Sequence, residues 1–289
     1  MEDDRNTTFT YENYDKKNST EDQYNMKVEF IMHVTTCTII SIGLPLTLVT
    51  IFALYSLVRK DHVAPIYVIN LLITDLFQLC CLIVLESGSL GIVLLIYHCL
   101  LPTSVGFMVC VSLERYLVIA HPLWYRFRRT IKISVAVCVV VWVIPPVFFF
   151  VVLPLVGSSV ALIIFSFFFI IPFPLFIFFL VGTLRALSAS VSVSSDEKRR
   201  IVGILVLVLL IYTFLFLPAI IFFLSAARVA QSKDLGVLSF MFVKLSPLAD
   251  LSLYIFIRKD IVGKFLSAVC CCKMESNGND EPAVNVDDI

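Results

Sequence analysis

Four oxygen-bearing side chains sit deep inside apolar stretches of this chain: Asp75, Ser104, Ser246 and Asp250. A charged group at such a depth costs about 2.5–3.5 kcal/mol on membrane-insertion scales, so each one points to a function. Asp75 lies twelve residues into one apolar run, Ser104 eleven residues before Arg115, and Ser246 eleven before Ile257, with Asp250 one helical turn further on. At 1.5 Å per residue these positions fall ~16–18 Å from a helix end, and the four can meet at one level. Two carboxylates and two hydroxyls form a hard-oxygen site. It can hold Na⁺, or the two acids can share a proton because neighbouring carboxylates do not both ionise cheaply. The plainer alternative is a water-filled hydrogen-bond network that tightens packing.

A second group of ionisable residues lies nearer one end of the same runs. Lys244 and Glu86 differ in level by ~7 Å if Asp75 and Asp250 are taken as level, a gap their long side chains can close. A Lys244–Glu86 ion pair is therefore expected, facing an outer cavity where a ligand enters. His33 and His98 occupy the same half. A buried neutral histidine is the plain reading for both, and proton sensing the alternative. The sequence shows no metal-ligand cluster or nucleophile–base pair, so no catalytic residue and no enzyme activity are expected.

The elements that must position these residues follow from composition. Of 289 residues, 59% are hydrophobic, and the mean hydropathy is +0.95. That is too apolar for a soluble domain of this length, and it identifies the bilayer as solvent. Zero net charge excludes a globally basic, nucleic-acid-binding chain. Seven runs, at about 31–58, 64–86, 89–113, 133–153, 158–184, 201–227 and 235–257, match the ~20 residues a membrane helix needs. Strands at these places would leave backbone groups unpaired in lipid, and barrel-type alternation is missing. The expected fold is all-α: a seven-transmembrane helix bundle over 30–257, with a short cytoplasmic amphipathic helix and cysteine cluster at 258–272. A disordered extracellular tail at 1–29 and a disordered acidic tail at 273–289 complete the division.

Charge sorting sets the orientation. Arg59, Lys60, Arg126, Arg128, Arg129, Lys132, Arg185, Lys198, Arg199 and Arg200 follow spans 1, 3 and 5, whereas the segments after spans 2, 4 and 6 hold only Arg228 and Lys233. The positive-inside rule then puts the N-terminus outside. Asn6-Thr7-Thr8 and Asn18-Ser19-Thr20 are glycosylation acceptors on that side, and Cys270, Cys271 and Cys272 are cytoplasmic palmitoylation candidates.

Glu114-Arg115-Tyr116 closes span 3 and is followed by Leu-Val-Ile-Ala-His-Pro-Leu. With Asn70-Leu71-Leu72-Ile73-Thr74-Asp75, Trp142, Phe216-Leu217-Pro218 and Asp250-Leu251-Ser252-Leu253-Tyr254, the chain resembles the rhodopsin-like (class A) G-protein-coupled receptors over about residues 30–270. Asp at 250 and the Phe-Leu-Pro of span 6 resemble the branch holding purinergic, proton-sensing and lysophospholipid receptors. The resemblance implies that Glu114, Arg115, Tyr116 and Tyr254 serve G-protein coupling, with Arg115 bonded to Glu114 at rest. It also implies that Asp75, Ser104, Ser246 and Asp250 form a sodium pocket. Glu86, His98, Phe216 and Lys244 become ligand-pocket candidates, Phe216 as a rotamer switch. The implied partners are a heterotrimeric G protein, an extracellular ligand and the plasma-membrane bilayer, with no nucleic acid and no cofactor beyond a possible Na⁺.

Departures from the family pattern are equally specific. Thr47 replaces an Asn of span 1, which should loosen the network among spans 1, 2 and 7. Leu251 replaces the proline of the span 7 motif, and Pro247 can supply a kink one turn earlier. Leu90 stands where the family has the cysteine of its outer disulfide, and residues 153–172 contain no cysteine. Two other functions follow from such features. One is a non-signalling escort or decoy. The other is a retinal photopigment using Lys244, with Val93 at the usual counterion place and Glu86 as substitute.

Overall fold

The computed structural model describes residues 3–58, 66–88, 91–121, 123, 125, 131–156, 158–189, 195–226 and 233–257, leaving aside the side chains of 3–21 and of some positions at element ends. The expected amphipathic helix, Cys270–Cys272 and the C-terminal tail lie outside the described residues, as do the side chains of Asn6 and Asn18.

Seven helical segments among the described residues are long and apolar enough to cross a membrane: Asp22–Leu54, Ile66–Glu86, Gly91–Ala120, Lys132–Val152, Leu162–Ser188, Ile201–Ser225 and Lys233–Tyr254. Each coincides with an expected span. A bilayer offers the backbone no hydrogen-bonding partner, so the chain satisfies itself within helices. The helices are α1 (Asp3–Val58), α2 (Ile66–Glu86), α3 (Gly91–Ala120) and α4 (Ile131–Val147). α5 (Ser158–Ile170) and α6 (Pro172–Ala189) make up span 5, α7 (Ser195–Ala226) is span 6, and α8 (Lys233–Lys244) with α9 (Ser246–Ile257) forms span 7.

One boundary differs from expectation. α1 continues outward to Asp3, through the segment read from sequence as a disordered tail. No proline or glycine occurs before Gly43, so a helix nucleated in the membrane meets no breaker on the way out. Tyr24 on this extension donates a hydrogen bond to Asp234 at the start of α8, which ties it across the outer face.

Prolines set the interruptions. Pro145-Pro146 end α4, and the chain continues as a π-helical turn at Phe148–Val152 and a 3₁₀ turn at Leu153–Leu155. Span 5 breaks at Ile171 before Pro172. Span 7 breaks at Leu245, two residues before Pro247, where Leu245 N–H bonds Phe242 O and Ala249 N–H bonds Leu245 O, both at 3.1 Å. Pro247 has no N–H to continue the ladder, and the helical hydrogen-bond pattern is interrupted beside it.

The helices close a ring, with span 1 against 2 and 7, span 3 against 2 and 5, and span 6 against 5 and 7. α3 is the axis and also touches spans 4 and 6. Its apolar window is 56% buried, against 22% for spans 1 and 4, which therefore give most of their surface to lipid. The core joins Leu79, Leu101, Phe107, Met108, Phe169, Val208, Tyr212 and Phe216. Outside span 2 the chain turns at Ser87-Gly88, and Gly88 takes φ +89°, a left-handed backbone that only glycine adopts without strain. The six described cysteines, Cys37, Cys80, Cys81, Cys99, Cys110 and Cys138, are free thiols.

Candidate functional site

Three polar sites are stacked along the bundle. The middle one brings together Asp75, Ser104, Ser246 and Asp250, each at most 1% exposed. α2 supplies Asp75, α3 Ser104, and the break in span 7 lets Ser246 and Asp250 approach from α9. Ser104 Oγ donates to Asp250 Oδ2 at 3.1 Å. Asp75 and Ser246 also face Asp250. Both Asp75 oxygens, Asp250 Oδ1 and Ser246 Oγ nevertheless lack a hydrogen-bond partner of ordinary geometry. Gln78, fully buried one turn above Asp75, is likewise unmatched at both amide atoms. Sequence reading passed over it, although a polar residue at i+3 from Asp75 shares its helix face. Buried oxygens left open in this way suit a hard cation or ordered water, since unsatisfied polar atoms are costly away from water.

Polar residues beside this site hold the helices in register. Trp142 Nε1 donates to Asn70 Oδ1 at 2.9 Å, while Asn70 Nδ2 donates to Ile66 O at 2.9 Å. The sequence singled out both Asn70 and Trp142 without pairing them. Thr47 is fully buried and its hydroxyl has no hydrogen-bond partner. Leu251 fills an apolar cluster with Val68, Leu72 and Tyr254.

The second site is the C-terminal end of α3, the end expected from charge sorting to face the cytoplasm. Glu114 is buried and accepts a hydrogen bond from Tyr125 Oη at 2.7 Å. The resemblance implied a bond from Arg115; the bond seen here comes instead from the loop after span 3, because Tyr125 packs back against the helix end. Arg115 Nε is buried without a hydrogen-bond partner. Tyr116 stacks on Phe179 of span 5 with ring centres 5.8 Å apart, and packs edge-on against His121 at 6.0 Å. Gly182 makes this contact possible, since a Cβ there would lie 2.6 Å from Tyr116 Cε2. Gly182 was not foreseen; a lone glycine facing an aromatic in a membrane helix is its signal. Lys198 Nζ donates to Leu187 O at 3.1 Å, joining spans 5 and 6 at the same end.

In the outer half the expected ligand-pocket residues separate. The Lys244–Glu86 ion pair is corrected: Glu86 Oε2 lies 2.6 Å from His33 Nδ1, and Lys244 Nζ donates to Thr36 Oγ1 at 2.9 Å. Both partners lie on α1, which packs against spans 2 and 7 and offers nearer groups. His98 instead lines an aromatic cavity with Tyr97, Phe165, Phe169, Phe222 and Phe223, holding about 20 Å³ of free space, room for about one water molecule. Its Nδ1–H donates to Leu94 O at 2.7 Å. Phe216 lies beneath, stacked on Phe169 at 5.2 Å and on Tyr212 at 5.0 Å, and Tyr212 Oη donates to Phe169 O. The cluster of His33, Cys37 and Glu86 was invisible in the sequence; their ligand atoms lie within 4.8 Å of one another.

Residues 45–161 match the model of the family described as 7 transmembrane receptor (rhodopsin family). The chain is 32% identical over 122 residues to human G-protein coupled receptor 68, a stretch covering 38% of this chain and 33% of that one. It is 29% identical over 133 residues to the type-1 angiotensin II receptor of Meriones unguiculatus (40% of this chain, 36% of the relative). The chicken (Gallus gallus) type-1 angiotensin II receptor is 30% identical over 136 residues, at 40% and 36%. The chain thus spans about a third of the length of the relatives it matches. The Asn70–Asp75 and Glu114–Tyr116 motifs lie inside the matched segment, so over residues 45–161 the chain is similar to the rhodopsin-family seven-transmembrane receptors, and the seven membrane-length helices accord with that similarity.

Proposed function

We propose that the protein is a cell-surface receptor that passes an extracellular ligand signal to a heterotrimeric G protein. The observation that carries this reading is Glu114-Arg115-Tyr116 at the end of the central helix, with Glu114 accepting a hydrogen bond from Tyr125 of the segment after span 3. A hydrogen bond from a loop to Glu114 is easily exchanged when the cytoplasmic ends separate. Such separation would release Arg115 and the basic segments after spans 3 and 5 toward the G protein. The basic sorting of loops supports an extracellular N-terminus. The matches do not favour the escort or photopigment alternatives.

The ligand would enter above Phe216. The aromatic cavity at His98 is too small for a ligand as it stands, so binding has to part Phe165, Phe169 and Phe222. That movement would reach Phe216 and Tyr212 through the ring stack and so couple the outer half to span 6.

The open oxygens of Asp75, Asp250, Ser246 and Ser104 fit a Na⁺ ion, which would supply positive charge between the two carboxylates. Sodium bound there favours the packed, resting bundle.

The test is guanine-nucleotide exchange on G proteins in membranes holding the wild type or Arg115→Ala at equal surface amounts, across a ligand panel. Exchange in the wild type that disappears in Arg115→Ala supports the reading. A surface-exposed wild type that raises no exchange with any G-protein class overturns it. Sodium is tested separately: NaCl should raise the melting temperature of the detergent-purified wild type above that in choline chloride, and the gain should vanish in Asp75→Asn.

A further inference from the structure

We propose that His33, Cys37 and Glu86 form a binding site for a zinc-class divalent cation at the outer junction of α1 and α2. The donor set is the first argument. A thiol and an imidazole as donors, with a carboxylate behind the imidazole, select borderline-soft ions such as Zn²⁺ over Mg²⁺ or Ca²⁺, which take oxygen alone.

Geometry is the second. His33 and Cys37 are four residues apart on α1 and so share one helix face. Cys37 Sγ lies 3.7 Å from His33 Nε2. A tetrahedral ion with a Zn–S bond of ~2.3 Å and a Zn–N bond of ~2.0–2.1 Å separates those atoms by about 3.6 Å. The two side chains already stand at the edge length of a zinc tetrahedron, without the ion.

The third argument is the other ring nitrogen. His33 Nδ1 lies 2.6 Å from Glu86 Oε2 on α2. With the proton on Nδ1, Nε2 keeps its lone pair facing Cys37. A carboxylate behind the imidazole fixes tautomer and ring orientation, the usual support of a metal-binding histidine. Lys244 is close enough to Glu86 to feel its charge. Its ammonium is committed to Thr36, which leaves the carboxylate to His33. Cys37 is a free, exposed thiol, so an ion can reach it. On binding, the thiol loses its proton to solvent, the thiolate and Nε2 donate to the metal, Glu86 keeps the Nδ1–H bond, and water fills the remaining positions.

The test uses the purified full-length chain, with Cys270, Cys271 and Cys272 changed to serine so that the other cysteine cluster binds nothing. Cobalt(II) serves as the visible probe and Zn²⁺ as competitor. One equivalent of cobalt should give a thiolate-to-metal charge-transfer band that Zn²⁺ removes and Mg²⁺ does not. Cys37→Ser should abolish the band, and His33→Ala should abolish saturation at one equivalent. Glu86→Gln should retain the band but require about 10–100-fold more metal. Melting curves without metal show whether each variant is folded. A wild type with no band, or a band that survives Cys37→Ser, overturns the site and leaves only a His33–Glu86 hydrogen bond beside a thiol. No G protein enters the measurement, so this outcome is independent of the signalling test.

Discussion

The midplane and the outer mouth of this bundle hold similar side chains in opposite ways. At the midplane Asp75, Ser104, Ser246 and Asp250 are all at most 1% exposed, and three helices supply them. At the mouth the side chains of His33 and Glu86 are 58% and 24% exposed, and the end of α2 meets the side of α1. A buried polar group without its partner pays its full desolvation cost, whereas an exposed one falls back on water. The midplane therefore couples helices rigidly and tolerates little change. The mouth can exchange partners, which suits a place where ions and ligands arrive.

If that contrast holds, substitutions should hurt most where α3 is enclosed. Gly182→Leu forces a side chain into the ring of Tyr116, and overpacking of this kind costs about 3 kcal/mol or slightly more. The detergent-purified variant should melt well below the wild type, and Tyr116→Ala should restore most of the loss by making room. A Gly182→Leu protein that melts like the wild type would mean that spans 3 and 5 are not packed as described. Ser104→Ala comes next. It leaves Asp250 Oδ2 without its donor, at an expected cost of about 1–3 kcal/mol. Equal melting of Ser104→Ala and wild type in both NaCl and choline chloride would remove the hydrogen bond from the account.

The spans were legible because the bilayer imposes one length and one backbone solution on every run. The depths of Asp75, Ser104, Ser246 and Asp250 were legible for the same reason: a helix converts residue count into height. What a count does not give is the angle around the axis. Lys244 and Glu86 are near enough to feel each other's charge, yet α1 packs against both spans and presents Thr36 and His33 as bonding partners. The same missing angle hid the His33–Cys37–Glu86 cluster, which joins residues 49 positions apart or more across a helix junction. Gly182 was missed differently, because its meaning lies in the ring of Tyr116 and not in its own chemistry. The helical course of residues before 22 was missed because a polar, charged composition was read as disorder, although the segment lacks helix breakers.

Two smaller effects separate the regions further. Trp142→Phe keeps the ring that packs on Phe77 and Phe107 and deletes only the N–H donated to Asn70. The expected loss is about 0.5–1.5 kcal/mol. Asn70→Ala in the same background should then add less than it does alone, because the two residues share one bond. Additive losses would show that the bond contributes nothing.

Glu86→Gln should be the mildest. The amide oxygen still accepts from His33 Nδ1–H, so the hydrogen bond survives and only the charge is lost. A single charge at an exposed contact is worth about 0–1 kcal/mol, and the melting temperature without metal should hardly move. The charge has a second neighbour in Lys244, whose bond to Thr36 is a neutral alternative that needs no carboxylate. Stability at the mouth is thus insured twice, which the midplane is not. Melting Glu86→Gln beside Ser104→Ala in the same buffer puts the contrast into one experiment. A larger loss at Glu86 than at Ser104 would invert it, and would mean that the outer junction of α1 and α2, rather than the buried oxygen site, holds the resting bundle together.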